Sequence, residues 1–141
     1  MARRYAEGTS VTAEKSRGEI MALLSENGGT RQAQATEPEG DTIQFELEGR
    51  RYRFYIPRPT MDEVRRMYPN AYDHKAKLDG EWRRRWRANL MLLKMKLEFA
   101  DGETSTVERE LMPYLLTAGG KTLGELMETE AGERLLLGAG R

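Results

Sequence analysis

Cysteine is absent from this chain of 141 residues, and histidine occurs only once, at His74. The lack of cysteine excludes disulfides, thiol catalysis and cysteine-ligated zinc. His74 lies in a polar stretch without a matched catalytic partner, and the sequence contains no nucleophile–base pair, metal-binding box or dinucleotide fingerprint. These absences predict a protein that is not an enzyme and that holds no metal or other cofactor.

Long hydrophobic runs are absent as well. No segment approaches the ~20 apolar residues that a membrane-spanning helix needs. The basic first residues, MARRYAEGTSV, lack the apolar stretch of a signal peptide. Hydrophobic residues make up 38% of the chain and charged residues 33%, against usual values of ~45–50% and ~25%. The sequence therefore predicts a cytosolic protein without membrane contact, whose core is assembled from a few apolar stripes.

The chain also lacks an excess of positive or negative charge. The 23 basic and 23 acidic residues give a formal net charge of zero. This balance argues against a uniformly basic nucleic-acid binder but leaves room for a local basic patch. The length predicts one domain, over residues 1–141, with a single modest core.

The clearest pattern that is present lies in the segment TIQFELEGRRYRFYIPRP, where apolar and polar residues alternate on both sides of a Glu-Gly pair. The alternation predicts a β-hairpin over about residues 42–56, with residues 48–49 as a two-residue turn. The expected cross-strand pairs are Leu47–Arg50, Glu46–Arg51, Phe45–Tyr52 and Ile43–Phe54. Apolar residues then face one another on one side and opposite charges on the other, and a slip by one residue would undo both matches.

The segments around the hairpin supply the rest of a small sheet and its first helix. An N-terminal helix is predicted in TSVTAEKSRGEIMALLSENGG, where Thr12 is a suitable N-cap and Asn-Gly-Gly a suitable stop. The following TRQAQATEPEG is polar and fits either a loop or a weak edge strand. A short apolar strand near residues 114–117 is expected to extend the sheet.

A long helix is predicted over about residues 80–99, in GEWRRRWRANLMLLKMKLEF. Residues 57–80 are expected to form a variable loop with a short helix, and residues 132–141 a frayed tail. Capping boxes that predict short helices begin at Thr60, Ser105 and Thr122. The predicted fold class is α+β: a small antiparallel sheet built on the hairpin packs against the N-terminal helix and the long helix, with short C-terminal helices.

The long helix has apolar residues on two opposite sides when its residues are placed about 100° apart. The first face contains Trp82, Trp86, Leu90, Leu93 and Leu97. The second contains Ala88, Leu92, Met95 and Phe99. A helix that is apolar on two sides is expected to lie between neighbours on both of them, and we therefore predict that both tryptophans are mostly buried.

An arginine cluster at the beginning of the same helix has two interpretations. Cations at a helix N-terminus are disfavoured by the helix dipole, and no acidic residue follows within two turns to neutralise them. The cluster therefore pairs either with acids elsewhere in the chain or with a ligand such as a phosphate backbone. The candidate nucleic-acid-binding residues are Arg83, Arg84 and Arg87, together with Arg51 and Arg53 on the hairpin.

A Gly-Lys-Thr sequence at residues 120–122 suggests a phosphate-binding loop at first sight. The Walker pattern requires a glycine six positions before the lysine, and Leu115 occupies that position. The segment is better explained as a turn followed by the N-cap Thr122.

Four segments together resemble a family of small hypothetical proteins of tailed bacteriophages and prophages. They are TSVTAEKSRGEI, IQFELEGRRYRFYIPRP, RRRWRANLMLLKMKLE and GKTLGELM, in this order. The family commonly has an aspartate in a DGRT sequence before the last segment, and residues 118–121 of this chain lack it. The resemblance implies a phage gene product that acts in the cytoplasm of a bacterial host, and it assigns no catalytic or binding residues.

Two classes of function follow from these observations. The first is a non-enzymatic accessory protein of phage DNA replication or recombination that binds single- or double-stranded nucleic acid through the arginines. The second is a protein–protein interaction module, either a structural partner or an inhibitor of a host defence enzyme, without nucleic-acid binding. The second is motivated by the neutral charge, the small core and the apolar tail of residues 135–137.

Overall fold

The computed structural model describes residues 3–138, which form a three-stranded antiparallel sheet, two long helices on one face of it and several short helices. The strands are β1 (Thr30–Glu37), β2 (Gly40–Leu47) and β3 (Arg50–Pro57). The helices are α1 (Ala13–Glu26), α2 (Met61–Met67), α3 (His74–Phe99), α4 (Val107–Glu110), α5 (Leu123–Met127) and α6 (Glu130–Glu133), with a 3-10 turn at Met112–Tyr114. The α+β fold expected from the sequence is confirmed.

The predicted hairpin consists of β2 and β3 and has the predicted register. All the expected pairs are present, namely Leu47–Arg50, Glu46–Arg51, Phe45–Tyr52 and Ile43–Phe54. The turn residues Glu48 and Gly49 have φ angles of 49° and 77°. Two consecutive positive φ angles are the type I′ geometry, which continues the twist of the two strands. Local sequence chemistry is therefore sufficient to set this register.

The polar segment between α1 and the hairpin forms an edge strand and not a loop. β1 pairs antiparallel with β2 from Glu37 opposite Gly40 back to Thr30 opposite Glu46, with a bulge before Ala33. Every β1 residue but one is exposed, in contrast to β2, where inward residues are buried. The helical layer therefore covers β2 and β3 and leaves β1 open.

The core lies between the inner face of the sheet and the two long helices. The helices contribute Ala13, Ile20 and Leu24 from α1, and Trp86, Leu90, Leu93 and Leu97 from α3. Trp86 is fully buried, and Trp82 is partly buried against the same core, with the two rings edge to face at 6.0 Å. The inward face predicted for the long helix is confirmed.

The long helix begins at His74, six residues before the predicted start at Gly80. Asp73 is its N-cap, since its carboxylate accepts the backbone N–H of Ala76 at 3.1 Å. Part of the segment predicted as a variable loop is thus the first turns of α3. The predicted start was late because the first turns of this 26-residue helix are polar and only the N-cap marks them.

The second apolar face of α3 is present but is not covered, so the expectation of neighbours on both sides is wrong. We call this face, formed by Ala88, Leu92, Met95 and Phe99, the outer stripe. The last three of these residues keep 40, 47 and 50% of their surface exposed. α1, α2 and α4 all contact α3, but these contacts leave the outer stripe open among residues 3–138. The hydrophobic pattern identifies the second apolar face, but the described residues do not bury it.

Of the two helix caps predicted in the C-terminal segment, one is confirmed and the other lies one residue later than predicted. Thr122 and Glu125 form the predicted capping box, with both reciprocal hydrogen bonds present. The cap expected at Ser105 lies one residue later, at Thr106, whose hydroxyl accepts a backbone N–H from the first turn of α4. The Ser105 hydroxyl instead donates to Glu110 at 2.6 Å, which leaves the neighbouring threonine to cap the helix.

The strand expected near residues 114–117 is reduced to two isolated bridges, Tyr52–Leu115 and Leu116–Thr122. The backbone N–H of Leu116 donates to the Arg51 carbonyl at 2.8 Å. This short contact still covers part of the outer edge of β3. Beyond it, the predicted tail over residues 132–141 begins within α6, where Gly132 is buried. Residues 133–138 are exposed, and the last three residues of the predicted tail lie outside the described part of the chain.

Candidate functional site

Two buried carboxylates organise the charged side chains around α3. The first is Glu81 of α3, whose side chain is fully enclosed. It accepts hydrogen bonds from Arg4, at 3.0 Å, and from Arg84, and the Nε of Arg85 lies 3.8 Å away. A buried carboxylate needs such partners to offset its lost hydration. One acid therefore holds three guanidinium groups in place.

The second buried carboxylate, Asp41 of β2, connects two further arginines to the tryptophan pair. Arg17 and Arg58 reach it at 2.7 and 3.5 Å. The same guanidinium groups lie over the indole rings, Arg17 over Trp86 at 4.7 Å and Arg58 over Trp82 at 4.1 Å. Cation–π contacts of this kind contribute about 0.5–2 kcal/mol. The tryptophans therefore pack with arginines of their own chain as well as with the core.

The predicted site residues on α3 all have partners within the chain. Arg83 donates from its Nε to the backbone carbonyl of Thr9 at 3.2 Å. Arg84 binds the buried Glu81, as described above. Arg87 donates to Glu19 of α1. Of the two interpretations of the cluster, pairing with acids elsewhere in the chain accounts for Arg84 and Arg87.

The predicted site residues on the hairpin lie on the other side of the sheet. Arg51 and Arg53 alternate with Tyr52 and Phe54, whose rings are buried in the core, and therefore point away from α3. Arg53 binds Glu125 at 2.6 Å, and Arg51 lies 3.9 Å from Glu46. The structure thus divides the five candidate arginines between two surfaces.

The Arg53 pair also affects ionisation at the outer surface. The backbone N–H of Thr122 and, second, the Arg53 guanidinium lower the pKa of Glu125 to about 2. In a comparable way the Arg85 guanidinium, which lies 2.6 Å from Glu63, lowers the pKa of that carboxyl. Both carboxylates are therefore charged at neutral pH and neutralise an arginine each.

A cavity of about 360 Å³ between the N-terminal segment and the first turns of α3 retains a local excess of positive charge. We call it the basic cavity. Its charged lining consists of Arg3, Lys77, Arg83, Arg84, Glu7 and Glu81. Both acids are already engaged: Glu7 accepts from the Arg4 backbone N–H and the Tyr68 hydroxyl, which lower its pKa. The cavity could accommodate a small anion.

The outer stripe has the spacing of a helix–helix contact surface. Its residues follow one another at intervals of four, three and four positions, the spacing of a seam between two packed helices. Besides a leucine, its exposed residues include a methionine and a phenylalanine, types that are enriched in protein interfaces. The stripe and the basic cavity are therefore the two candidate sites on α3.

Other patterns noted in the sequence have local structural explanations. The Gly-Lys-Thr segment is a turn that ends at the N-cap Thr122, as predicted. The ring Nε2 of His74 lies 3.0 Å from the Tyr68 carbonyl. In the part of the chain that the structure describes, no three acidic or histidine side chains are grouped so that they could hold a metal ion. The helices within residues 3–138 are too short or too polar for any of them to span a bilayer.

Comparisons with protein-family models, with curated protein sequences and with solved structures find no significant match to this chain.

Sequence patterns did not identify the two buried acids that hold the arginines around α3. Glu81 precedes Arg84 and Arg85 by three and four positions, a spacing at which side chains meet on a helix. The sequence therefore carries a signal for this contact, on the N-terminal side of the arginines. Asp41 carries no comparable signal, since its partners lie 24 and 17 residues away in the sequence.

Proposed function

We propose that the protein is a non-enzymatic accessory protein of a tailed bacteriophage or prophage, which acts in the host cytoplasm by binding another protein through the outer stripe. The observation that carries this proposal is a difference between two sets of side chains on α3. Arg84, Arg85 and Arg87 meet carboxylates of the same chain, whereas the outer stripe is exposed. The phage context rests on the resemblance of the four sequence segments.

The chemistry of the outer stripe fits recognition of an apolar groove or helix. An amphipathic helix that lays its apolar side into a partner uses residues spaced by three and four positions as anchors. Burial of apolar surface contributes about 25 cal/mol per Å², and aromatic residues at the centre of such a contact often dominate its energy. Phe99 and Leu92 are the expected anchors.

A photo-crosslinking experiment tests the proposal in bacterial cells during phage or prophage growth. A photoreactive phenylalanine analogue replaces Phe99 in the outer stripe or, as a control, the exposed Tyr55 on the outer face of the sheet. We expect a discrete protein adduct from position 99 and none from position 55. Leu92→Glu should abolish the adduct, while Lys94→Glu, an exposed charge reversal elsewhere on α3, should not. Absence of the adduct, or its persistence in Leu92→Glu, would contradict the proposal.

A second candidate function is phosphate or nucleic-acid binding at the basic cavity. The observation in its favour is the lining of four cations and two carboxylates, in which both carboxylates already accept hydrogen bonds from the chain. This candidate uses Arg83 and Arg84 of the predicted patch and adds Arg3 and Lys77. It requires no contribution from the arginines of the hairpin.

Oligonucleotide binding measured against salt concentration tests the second candidate. Each phosphate contact should contribute a slope of about −0.9 in log affinity against log salt for duplex, or −0.7 for single strands. Arg3→Gln with Lys77→Gln should weaken binding, because neither side chain supports a buried acid. Lys15→Gln with Lys121→Gln is the matched control. No binding at low salt, or equal binding by both double variants, would reject this candidate.

A further inference from the structure

The free edge of β1 presents backbone groups in a regular order. Glu37 and Gly40 flank a two-residue turn, and residues in that position exchange hydrogen bonds with each other. Bonded and non-bonded pairs alternate along an antiparallel ladder. Ala33 and Ala35 therefore bond to β2, while the N–H and C=O groups of Gln34 and Thr36 point away from the sheet.

One outer edge of the sheet is partly covered by the rest of the chain, and the other is open. The outer edge of β3 is contacted at Arg51 and Tyr52 by residues 115–116. All residues of β1 except Gln32 are exposed, and the strand contains neither lysine nor proline, the residues that commonly protect an edge from pairing. The bulge at Arg31 and the turn at Pro38 close its two ends. Between them lies a short open edge that is able to accept another strand.

The charges on this edge are complementary to those of a second copy. Arg31 lies at one end of the edge and Glu37 at the other. Ion-pair contact of Arg31 with Glu46 shows that its side chain reaches the outer face of the sheet, and Glu37 lines a cavity on that same face. An antiparallel copy brings each arginine to the glutamate of its partner, whereas a parallel copy opposes like charges. The small Ala33 and Ala35 lie between them.

The residue midway between Arg31 and Glu37 is Gln34, and its backbone groups are free to bond to a second strand. Position 34 lies midway between positions 31 and 37, so a two-fold axis that pairs the charges places Gln34 opposite its own copy. Gln34 is also a residue whose hydrogen-bonding groups point outward, as the alternation requires for a bonded pair across that axis. The register that pairs the charges is therefore one that the backbone of β1 allows.

We propose that two copies of this chain associate through antiparallel pairing of their β1 strands, centred on Gln34, to form one continuous six-stranded sheet. Main-chain hydrogen bonds supply the attraction, as in other cases of strand addition, and the two Arg31–Glu37 contacts set the orientation. The interface does not involve the outer stripe or the basic cavity. The proposal is therefore independent of the proposed function.

The mass of the full chain in solution is the first measurement. Sedimentation equilibrium of the wild type should give a dimer, twice the 16.2 kDa of one chain. Gln34→Lys and Gln34→Glu each place like charges opposite one another at the axis, and each should raise the dissociation constant about tenfold or more. Mixing the two variants should restore a dimer with one copy of each. Arg66→Glu, an exposed change away from β1, is the control and should dimerise normally.

Charge-swap variants test the orientation of the two β1 strands in the dimer, and hydrogen exchange at backbone amides tests their register. Arg31→Glu and Glu37→Arg should each weaken the dimer, and the double variant should recover it, because the opposed charges are again unlike. Hydrogen exchange at the Gln34 and Thr36 amides should slow as the protein concentration rises. The Ala33 and Ala35 amides, which bond to β2 in either state, should not respond.

The outcomes that would overturn the proposal are distinct from those that would overturn the proposed function. A wild type that stays monomeric at its highest soluble concentration excludes the β1 dimer. A dimer that survives both Gln34 variants but is lost in Leu92→Glu excludes it as well, and would instead place the self-contact on the outer stripe. Failure of the mixed variants to pair contradicts the two-fold register.

Discussion

The two faces of α3 are both apolar but occupy different environments in the protein. Leu93, on the inner face, is 2% exposed, and Leu92, its neighbour in sequence, is 40% exposed. The inner face packs on the sheet and α1, while the outer stripe faces solvent among the described residues. An apolar helical face thus indicates where a contact is possible, and its surroundings decide whether the same chain provides that contact.

The charged residues of α3 show the same principle with the opposite result. The sequence has no acid in the two turns after the arginine cluster, which left intrachain acids and a ligand as alternative partners. The structure supplies Glu81 from α3 itself, Glu63 from α2 and Glu19 from α1. The apolar residues expected to be covered are open, while three arginines of the cluster meet acids of the same chain, and the proposed function follows from this contrast.

The strongest test of the comparison truncates the two adjacent leucines. Leu93→Ala should lower the free energy of unfolding by about 2–5 kcal/mol, because it leaves a cavity in the core. Leu92→Ala should lower it by about 1 kcal/mol or less, since solvent already reaches that side chain. Urea denaturation of both variants measures the difference. Equal losses would show that the two faces are not distinct in solution.

A second test compares a buried with an exposed glutamate on α3. Glu81→Ala leaves three arginines without their shared carboxylate and should cost about 2–3 kcal/mol, with partial solvation of the guanidinium groups reducing the loss. Glu98→Ala removes an exposed side chain of the same helix and should change stability by less than about 0.5 kcal/mol. Thermal and urea unfolding provide the values. If Glu81→Ala behaves like Glu98→Ala, the buried carboxylate does not organise the cluster.

A third test asks whether an exposed ion pair matters less than these buried ones. The pKa of Glu125 is lowered in the folded protein from 4.5 to about 2, so its contribution to stability is complete above pH 4.5 and is lost as the pH falls towards 2. Glu125→Gln should be slightly less stable than the wild type at pH 7, and this difference should shrink over that acid range. A difference that is constant with pH would contradict the stabilisation of the Glu125 carboxylate by the Thr122 N–H and Arg53.

The smallest effect on stability is expected in the outer stripe. Leu92→Gln combined with Phe99→Gln should leave the free energy of unfolding within about 1 kcal/mol of the wild type, because both side chains are already substantially hydrated. The same variant should bind less of a fluorescent apolar dye, since the exposed patch becomes polar. Unchanged dye binding would show that the stripe is not an accessible apolar surface of the protein.

Much of the local structure was predictable from short-range patterns. The hairpin register, the turn at Glu48-Gly49 and the caps at Thr12, Thr60 and Thr122 all depend on residues within a few positions of one another. The errors at Gly80 and Ser105 concern element boundaries, where one residue type competes with the packing around it. The start of α3 was missed because its first turns are polar and only their N-cap marks them.

The sequence by itself determined the elements that form and which sides of them are apolar, because alternation, helical spacing and capping act between near neighbours. Tertiary structure alone decided which apolar face is covered and which acid meets which arginine. Arg4 and Glu81 are 77 residues apart, and Arg17 and Asp41 are 24 apart. Such pairs depend on how the helical layer lies on the sheet, and that arrangement is set by packing of the whole core.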